Sequence, residues 1–215
     1  MRSKLGLSIV LCAVLAAGVA SAVVHAQVGK SLGVADVNIA PEKDILAIPG
    51  LTPAIVKGIL DKRPFASITD LNAYLLSQGL TQEQAMAVYQ KAIVPVNLNT
   101  ATREEIVLIP GAGTRMAREF AEYRPWKNWA QFDREIGKYV GQEATDKLKQ
   151  YVFIPMNVNT ASDDDLRTIP GLTPALLGSI KQGRPWTSKE QFEQQIGKAS
   201  TPKEASRLWR FFVIQ

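Results

Sequence analysis

The stretch EIVLIPGAGTRMAREFA, from Glu105 to Ala121, places an apolar segment on each side of an Ile-Pro-Gly turn. Proline interrupts a helix and pushes the preceding residue out of the α region, and glycine reaches backbone conformations that cost other residues energy. The stretch therefore predicts a helix, a tight turn and a second helix. Two more stretches have the same form, DILAIPGLTPAIVKGIL from Asp44 to Leu60 and DLRTIPGLTPALLGSIK from Asp165 to Lys181.

The three turns belong to a longer internal repeat. An Asn-x-Ala motif begins at Asn38, Asn99 and Asn159, in steps of 61 and then 60 residues. The Ile-Pro-Gly turns recur at the same steps, and so does an Arg-Pro-aromatic motif. Matches at several fixed offsets indicate a tandem array in which each repeat is one small supersecondary structure. The arginines of the second motif are Arg63, Arg124 and Arg184.

Each repeat contains the signals of four short helices. Capping boxes at Thr102 and Ser162 begin the first helix, and Thr52-Pro53 has the form of an N-cap followed by a first helical residue. The third helix is predicted to end near Gly79, Gly137 or Gly197, and a capping box at Thr81 begins the fourth. No run alternates over enough residues to predict a strand. The fold class is therefore all-α, with three tandem four-helix units.

The chain begins with the pattern of a secretory signal peptide. Arg2 and Lys4 precede an apolar run, and Val24-His25-Ala26 forms a small-x-small end. Cleavage after Ala26 predicts a periplasmic or extracellular protein, whereas an uncleaved run is long enough to anchor the chain in a thin bilayer. The predicted organisation is a signal peptide at 1–26, a linker at 27–35 and units at 36–95, 96–155 and 156–215.

Composition excludes several kinds of chemistry. Cys12 is the only cysteine and His25 the only histidine, and both lie in the leader. The mature chain is therefore expected to lack disulfides, thiol catalysis, Cys/His zinc sites and histidine acid–base catalysis. We expect no enzyme activity, no cofactor, no metal and no small-molecule substrate. The net charge of +5 neither requires nor excludes nucleic acid, since strong duplex binders usually show a denser basic stripe.

A Pro-Gly-x-Gly turn before a helix has the properties of a phosphate-binding site. The first backbone N–H groups of the second helix have no partner within the helix, and the helix dipole adds partial positive charge there. Glycines allow a phosphate to approach closely. Contacts of this kind read no bases, so binding would be independent of sequence and sensitive to salt.

The segment NTATREEIVLIPGAGTRMA, from Asn99 to Ala117, resembles the first hairpin of the helix-hairpin-helix DNA-binding family. In particular it is similar to the exported DNA-binding domain of ComEA-type competence DNA receptors, and the leader fits that resemblance. The resemblance covers nearly the whole mature chain, three times over. It implies two hairpins per domain, with the turn amides on the backbone of double-stranded DNA, and a role in DNA capture or uptake.

Carried over to this sequence, the family pattern is complete only in the middle unit. In the other two units threonine replaces the second glycine of the turn, and the proline after it removes one amide donor. The second hairpin of each unit lacks Pro-Gly-x-Gly. The predicted DNA-backbone residues are Gly111, Gly113, Thr114, Arg115 and Arg118 in the middle unit, Gly50, Thr52 and Lys57 in the first, and Gly171 and Thr173 in the third.

Two interpretations remain open at the level of sequence. The repeated arginines either bind phosphate or cap the last carbonyls of the second helix, where a cation is favourable. The whole chain is either a DNA-binding module or a scaffold whose hairpins are purely structural. The scaffold would present helical surfaces to protein partners of the cell envelope or of a secretion or pilus system.

Overall fold

The computed structural model describes residues 34–215. The predicted signal peptide and most of the predicted linker lie outside the described residues. Within them the chain is mostly helical, which confirms the all-α class. For the description, residues 34–95, 96–155 and 156–215 are called the first, second and third segments.

The helices of the three segments follow one another in the same order. The first segment contains α1 (Glu42–Leu46), α2 (Pro53–Lys62), α3 (Ile68–Ser77) and α4 (Gln82–Tyr89). The second contains α5 (Arg103–Val107), α6 (Gly113–Glu122) and α7 (Trp129–Lys149), and the third contains α8 (Asp163–Arg167), α9 (Pro174–Gln182), α10 (Lys189–Ala199) and α11 (Pro202–Trp209). Helix α7 is two helices joined at Gly141, which has a non-helical backbone with φ of 76°.

Six strands of two residues each were not predicted from the sequence. They pair in parallel, so that the first and last residues of each segment lie side by side. Two residues are too few to produce an alternating pattern, which is why the sequence shows no strand signal. The pairs are β1 (Ala35–Asp36) with β2 (Ala92–Ile93), β3 (Val96–Asn97) with β4 (Val152–Phe153), and β5 (Met156–Asn157) with β6 (Phe212–Val213).

The predicted helix starts are confirmed in detail. Thr81, Thr102 and Ser162 each form a complete capping box, in which side chain and backbone bond reciprocally across three residues. Thr52 caps α2, with Pro53 as its first residue. These local bonds satisfy backbone N–H groups that the helix itself leaves unpaired.

The predicted ends of the third helix are confirmed to within a few residues. Helix α3 ends at Ser77, two residues before Gly79, and α10 ends at Ala199, two residues after Gly197. In α7 the helix continues past Gly137 and is interrupted at Gly141, where the second of its two helices begins.

The constant spacing between the repeated asparagine and the Arg-Pro-aromatic motif has a structural explanation in all three segments. In the second, Asn99 Oδ1 accepts from the N–H of Trp126 at 2.6 Å, and its Nδ2 donates to the Trp126 carbonyl at 3.0 Å. Asn38 makes the same two bonds with Phe65, and Asn159 with Trp186. The asparagine thus acts as a clamp between the start of the segment and the loop before the third helix.

The repeated arginines do not cap the last carbonyls of the second helix, and they bond elsewhere in their own segment. Arg124 donates from Nε to the Leu98 carbonyl at 2.7 Å and from Nη2 to the Ala101 carbonyl at 2.5 Å. Arg184 makes the equivalent two bonds, and Arg63 makes the second of them. These carbonyls precede the first helix of each segment rather than ending the second helix, so the arginines fasten distant parts of one segment together.

The hydrophobic core falls into two clusters. The first runs through the first and second segments, from Val34 to Val152, and the second contains Phe153, near the end of the second segment, and the core residues of the third segment as far as Phe212. The aromatic residues after Arg-Pro are buried, with Trp126 in the first cluster and Trp186 in the second. The Trp126 indole N–H donates to the Phe120 carbonyl at 2.9 Å, near the end of α6. The third segment therefore has a core of its own.

Candidate nucleic-acid interface

The three Ile-Pro-Gly turns share one backbone geometry. Gly50, Gly111 and Gly171 have φ of 88°, 83° and 72°, in the left-handed region that glycine reaches without strain. Each turn joins two short helices, as predicted. The differences between them lie in what surrounds each turn and in how the following helix begins.

The middle turn is open and its helix start is uncapped. Gly113 also has a positive φ, of 55°, and a β-carbon at Gly111 or Gly113 would meet nothing within 4 Å. Ala112 provides no side-chain cap for α6. Within residues 34–215 the N–H groups of Gly113, Thr114 and Arg115 have no hydrogen-bond acceptor. Three free amides therefore lie at the positive end of the helix dipole, where an anion is stabilised.

The other two helices after the turns begin differently. Thr52 Oγ1 accepts from the N–H of Ile55, and Thr173 Oγ1 accepts from the N–H of Leu176, both at 3.3 Å. Each threonine is followed by a proline, which has no N–H. A phosphate at either turn would find fewer free donors than at the middle turn.

Two of the predicted cations lie on α6 beside the middle turn. The Arg115 guanidinium carbon lies 4.8 Å from the centroid of the Tyr139 ring, in cation–π contact. Arg118 pairs with Glu119 at 2.9 Å, and the Arg118 side chain is 71 % exposed whereas that of Glu119 is 3 % exposed. The hydrogen bond from Arg118 lowers the pKa of Glu119. Arg118 therefore remains accessible to solvent although its charge is partly neutralised.

Three residues beside the middle turn were not predicted from the sequence, namely Tyr123 at the end of α6 and Lys138 and Tyr139 in α7. The Tyr123 and Tyr139 hydroxyls lie 2.9 Å apart, and Lys138 Nζ lies 4.5 Å from the centroid of the Tyr123 ring. The hydrogen bond with Tyr123 raises the pKa of Tyr139 to about 12. Lys138 also bonds to Glu135 at 2.7 Å, and this bond raises the lysine pKa. The sequence contains no local signal for this group, because its members come from two helices.

A second hairpin turn lies next to this group. Gly141 has a φ of 76° and follows Tyr139 by two residues, so the contact between Arg115 and Tyr139 joins the start of α6 to the second turn. Gly79 has a φ of 88° at the corresponding place in the first segment. In the third segment Ser200 occupies the loop with a φ of −144°, and no left-handed glycine is present there.

The predicted residues of the outer turns are less favourable for phosphate. Lys57 pairs with Asp61 at 2.6 Å on an exposed face of α2. At the third turn Gly171 and Thr173 are exposed, but a β-carbon on Gly171 would lie 3.4 Å from Arg207 Nη2 and 3.5 Å from the Ile39 side chain. The structure therefore makes the three turns unequal, and the middle one has the most free amide donors.

The described part of the chain shows neither a metal-type cluster nor a membrane-spanning helix. No group of three or more acidic, cysteine or histidine side chains in residues 34–215 could hold a metal ion. No helix in that range has the length and apolarity needed to cross a bilayer. Comparisons with protein-family models, curated proteins and solved structures gave no match for this chain.

Proposed function

We propose that the chain consists of three tandem helix-hairpin-helix units, similar to those of ComEA, that follow a cleaved signal peptide. In this proposal the protein is exported and binds double-stranded DNA without sequence preference, in DNA capture or uptake. The resemblance of the sequence from Asn99 to Ala117 supports the family. The mostly helical fold and the left-handed glycine turns are compatible with it.

One observation carries the proposal, namely the open start of α6. Its three free amides, two left-handed glycines and two neighbouring arginines meet the requirements of a phosphate site at a helix N-terminus. The amides satisfy phosphate oxygens, Gly111 and Gly113 leave room for them, and Arg115 and Arg118 add charge. None of these groups reads a base edge, so the contact is independent of sequence.

The tandem arrangement strengthens a weak individual contact. Once one turn is bound, the others are held close to the same duplex, and the effective concentration raises the overall affinity. Each neutralised phosphate releases counterions, so the affinity falls as the salt concentration rises. Modest net charge is compatible with such binding because backbone amides, rather than a dense basic stripe, make the central contacts.

Gel-shift titration of the mature chain with two duplexes of unrelated sequence tests the proposal. We expect retention of both at low salt with similar affinity, and a steep loss of affinity as salt is added. A mature chain that retains neither duplex at low salt contradicts the proposed function. A strong preference for one duplex contradicts the sequence-independent mode of binding.

The Gly113→Asp variant tests whether the middle turn is the site that binds DNA. Aspartate tolerates a left-handed backbone better than most residues, and its carboxylate repels a phosphate. We expect affinity to fall by about ten-fold or more, which corresponds to the loss of one charge-assisted contact. Ala87→Asp on the exposed face of α4 changes net charge equally and is the matched control. Circular dichroism verifies that both variants are folded, and equal affinities for both would remove the turn from the mechanism.

A scaffold for envelope protein partners is the second candidate function. The threonine caps at two turns and the pairing of Lys57 with Asp61 favour it, because they reduce the capacity of the first and third segments for phosphate. In a scaffold the hairpins serve only to fold the chain. The gel-shift assay separates the two candidates, since a scaffold retains no duplex at any salt concentration.

A further inference from the structure

The third turn has neighbours that the first two turns lack. A β-carbon built onto Gly50 or Gly111 would have no other atom within 4 Å. A β-carbon built onto Gly171 would contact the side chains of Ile39 and Arg207. Pro170 is buried, while its counterpart Pro49 is exposed. The third turn is therefore packed against other parts of the molecule.

The contact at the third turn is made by the first segment. Ile39 lies three residues before the start of α1, and two of its side-chain carbons lie 3.5 Å from the β-carbon position of Gly171. Arg210, at the end of α11, donates from Nη2 to the Pro95 carbonyl at 2.8 Å. The two contacts hold the third segment against the first segment and against its junction with the second.

Charged side chains are buried where these segments meet. Asp36 is 1 % exposed and Arg207 is 2 % exposed. The arginines at 63, 207 and 210 each act on Asp36 electrostatically, yet Asp36 Oδ2 and one nitrogen of each arginine are buried without a hydrogen-bond partner. The arginine charges offset part of the cost of burying Asp36, but Arg207 pairs with Glu204 at 2.6 Å and the hydrogen bonding of Asp36 is incomplete.

We propose that the third Ile-Pro-Gly turn is a docking site for the first segment of the same chain rather than a site for DNA phosphate. The side chain of Ile39 packs on the turn, and the hydrogen bond from Arg210 to the Pro95 carbonyl holds the third segment to the first. The claim that the third turn does not bind DNA phosphate rests on the proposed function. The claim that the first segment packs on the third turn does not depend on it. DNA phosphates then contact only the turns of the first and second segments.

Hydrogen exchange followed by mass spectrometry tests the docking without DNA. The Ile39→Asp variant places a carboxylate against the third turn, and we expect peptides covering residues 169–173 to exchange at least about ten-fold faster, as local opening predicts. Peptides covering 109–113 should be unchanged. Thr100→Asp is the matched control, because Thr100 is exposed at the corresponding place of the second segment.

The milder Ile39→Ala variant covers the case in which the charged variant unfolds the first segment. It removes most of the packing at the turn, and we expect the same change in exchange with a smaller amplitude. Unchanged exchange of residues 169–173 in a folded Ile39 variant overturns the docking. Equal acceleration in Thr100→Asp overturns it as well, since the effect would then not be specific to Ile39.

A DNA experiment tests the second half of the proposal. Thr173→Asp keeps a good N-cap for α9 and adds a negative charge at the third turn. We expect its affinity for duplex DNA to stay within about two-fold of wild type, against about ten-fold or more lost in Gly113→Asp. A loss in Thr173→Asp that equals the loss in Gly113→Asp overturns the assignment of the third turn. If wild type itself does not bind DNA, the proposed function fails and hydrogen exchange still decides the docking.

Discussion

Single residues in this protein have roles that their neighbours in sequence do not reveal. The three arginines before proline look like phosphate ligands or helix caps, because they follow the second helix of each segment. In the structure they reach back about 25 residues to carbonyls before the first helix, as Arg124 does to Leu98 and Ala101. Burial of that arginine lowers its pKa. Its role is to hold the segment closed.

The Arg124→Met variant checks this role. Methionine fills much of the same space but leaves the Leu98 and Ala101 carbonyls without their donors, and such groups cost about 1–3 kcal/mol when unsatisfied. We expect a loss of unfolding free energy in that range by urea titration. Arg103→Met on the exposed face of α5 is the control and should change stability little.

The same variant separates structure from DNA binding. If Arg124 serves only the fold, folded Arg124→Met keeps the salt dependence of DNA affinity seen in wild type. A shallower dependence of log affinity on log salt, by about one unit, would instead identify Arg124 as a phosphate contact.

At the scale of helices, local signals predict starts better than ends. The capping boxes at Thr81, Thr102 and Ser162 are confirmed because each is complete within four residues. The ends predicted near Gly137 and Gly197 lie a few residues further on, at the break at Gly141 and at Ala199, because glycine tolerates the last helical turn as well as the residue after it. The same limit applies to the group around the middle turn, where α6 and α7 bring Arg115, Tyr123 and Tyr139 together.

The tyrosine pair between α6 and α7 gives a pH prediction. The hydrogen bond raises the pKa of Tyr139 from its ordinary value of about 10 to about 12. A raised pKa stabilises the folded state fully below the unfolded value, and this contribution is lost as pH rises through about 12. We expect Tyr123→Phe to lower the pKa of Tyr139, measured by the ultraviolet absorbance of tyrosinate.

Phenylalanine at position 123 keeps the ring that Lys138 contacts and removes only the hydroxyl, so packing is little changed. Tyr151→Phe is the comparison variant, because burial rather than this hydrogen bond raises the pKa of Tyr151. A titration of Tyr139 that is the same in wild type and Tyr123→Phe would show that the pair does not interact in solution.

At the scale of the whole molecule, the two hydrophobic clusters divide the chain unevenly. The first and second segments share one core, and the third has its own. Between the third and the first segments lie the buried side chains of Asp36 and Arg207 and the half-buried side chain of Arg210, with incomplete hydrogen bonding. Separate cores joined by a charged contact are expected to unfold in separate steps.

Urea unfolding followed by tryptophan fluorescence tests this division. All four tryptophans lie in the second and third segments, at positions 126, 129, 186 and 209. Replacing both Trp186 and Trp209 by Phe leaves tryptophan only in the second segment, and replacing both Trp126 and Trp129 leaves it only in the third. We expect two transitions with different midpoints for the two probes. Coincident transitions would show that the chain unfolds as one cooperative unit.

The sequence by itself determined the helical class, the turns, the helix caps and the inequality of the middle turn. These features depend on residues within one or two helical turns of each other, where backbone sterics and local hydrogen bonds decide the outcome. The free amides of α6 follow directly from Gly111-Ala112-Gly113, without threonine or proline at the helix start.

Only the tertiary structure decided four features. They are the pairing of the strands, the carbonyls to which the repeated arginines bond, the contact between the Tyr123 and Tyr139 hydroxyls, and the contact between Ile39 and Gly171. Each joins residues far apart in the chain, and their proximity results from the packing of whole segments. The sequence around each of these residues contains no pattern that predicts such a distant partner. The middle turn is therefore readable from sequence, whereas the packing of the third turn against the first segment is visible only in the folded chain.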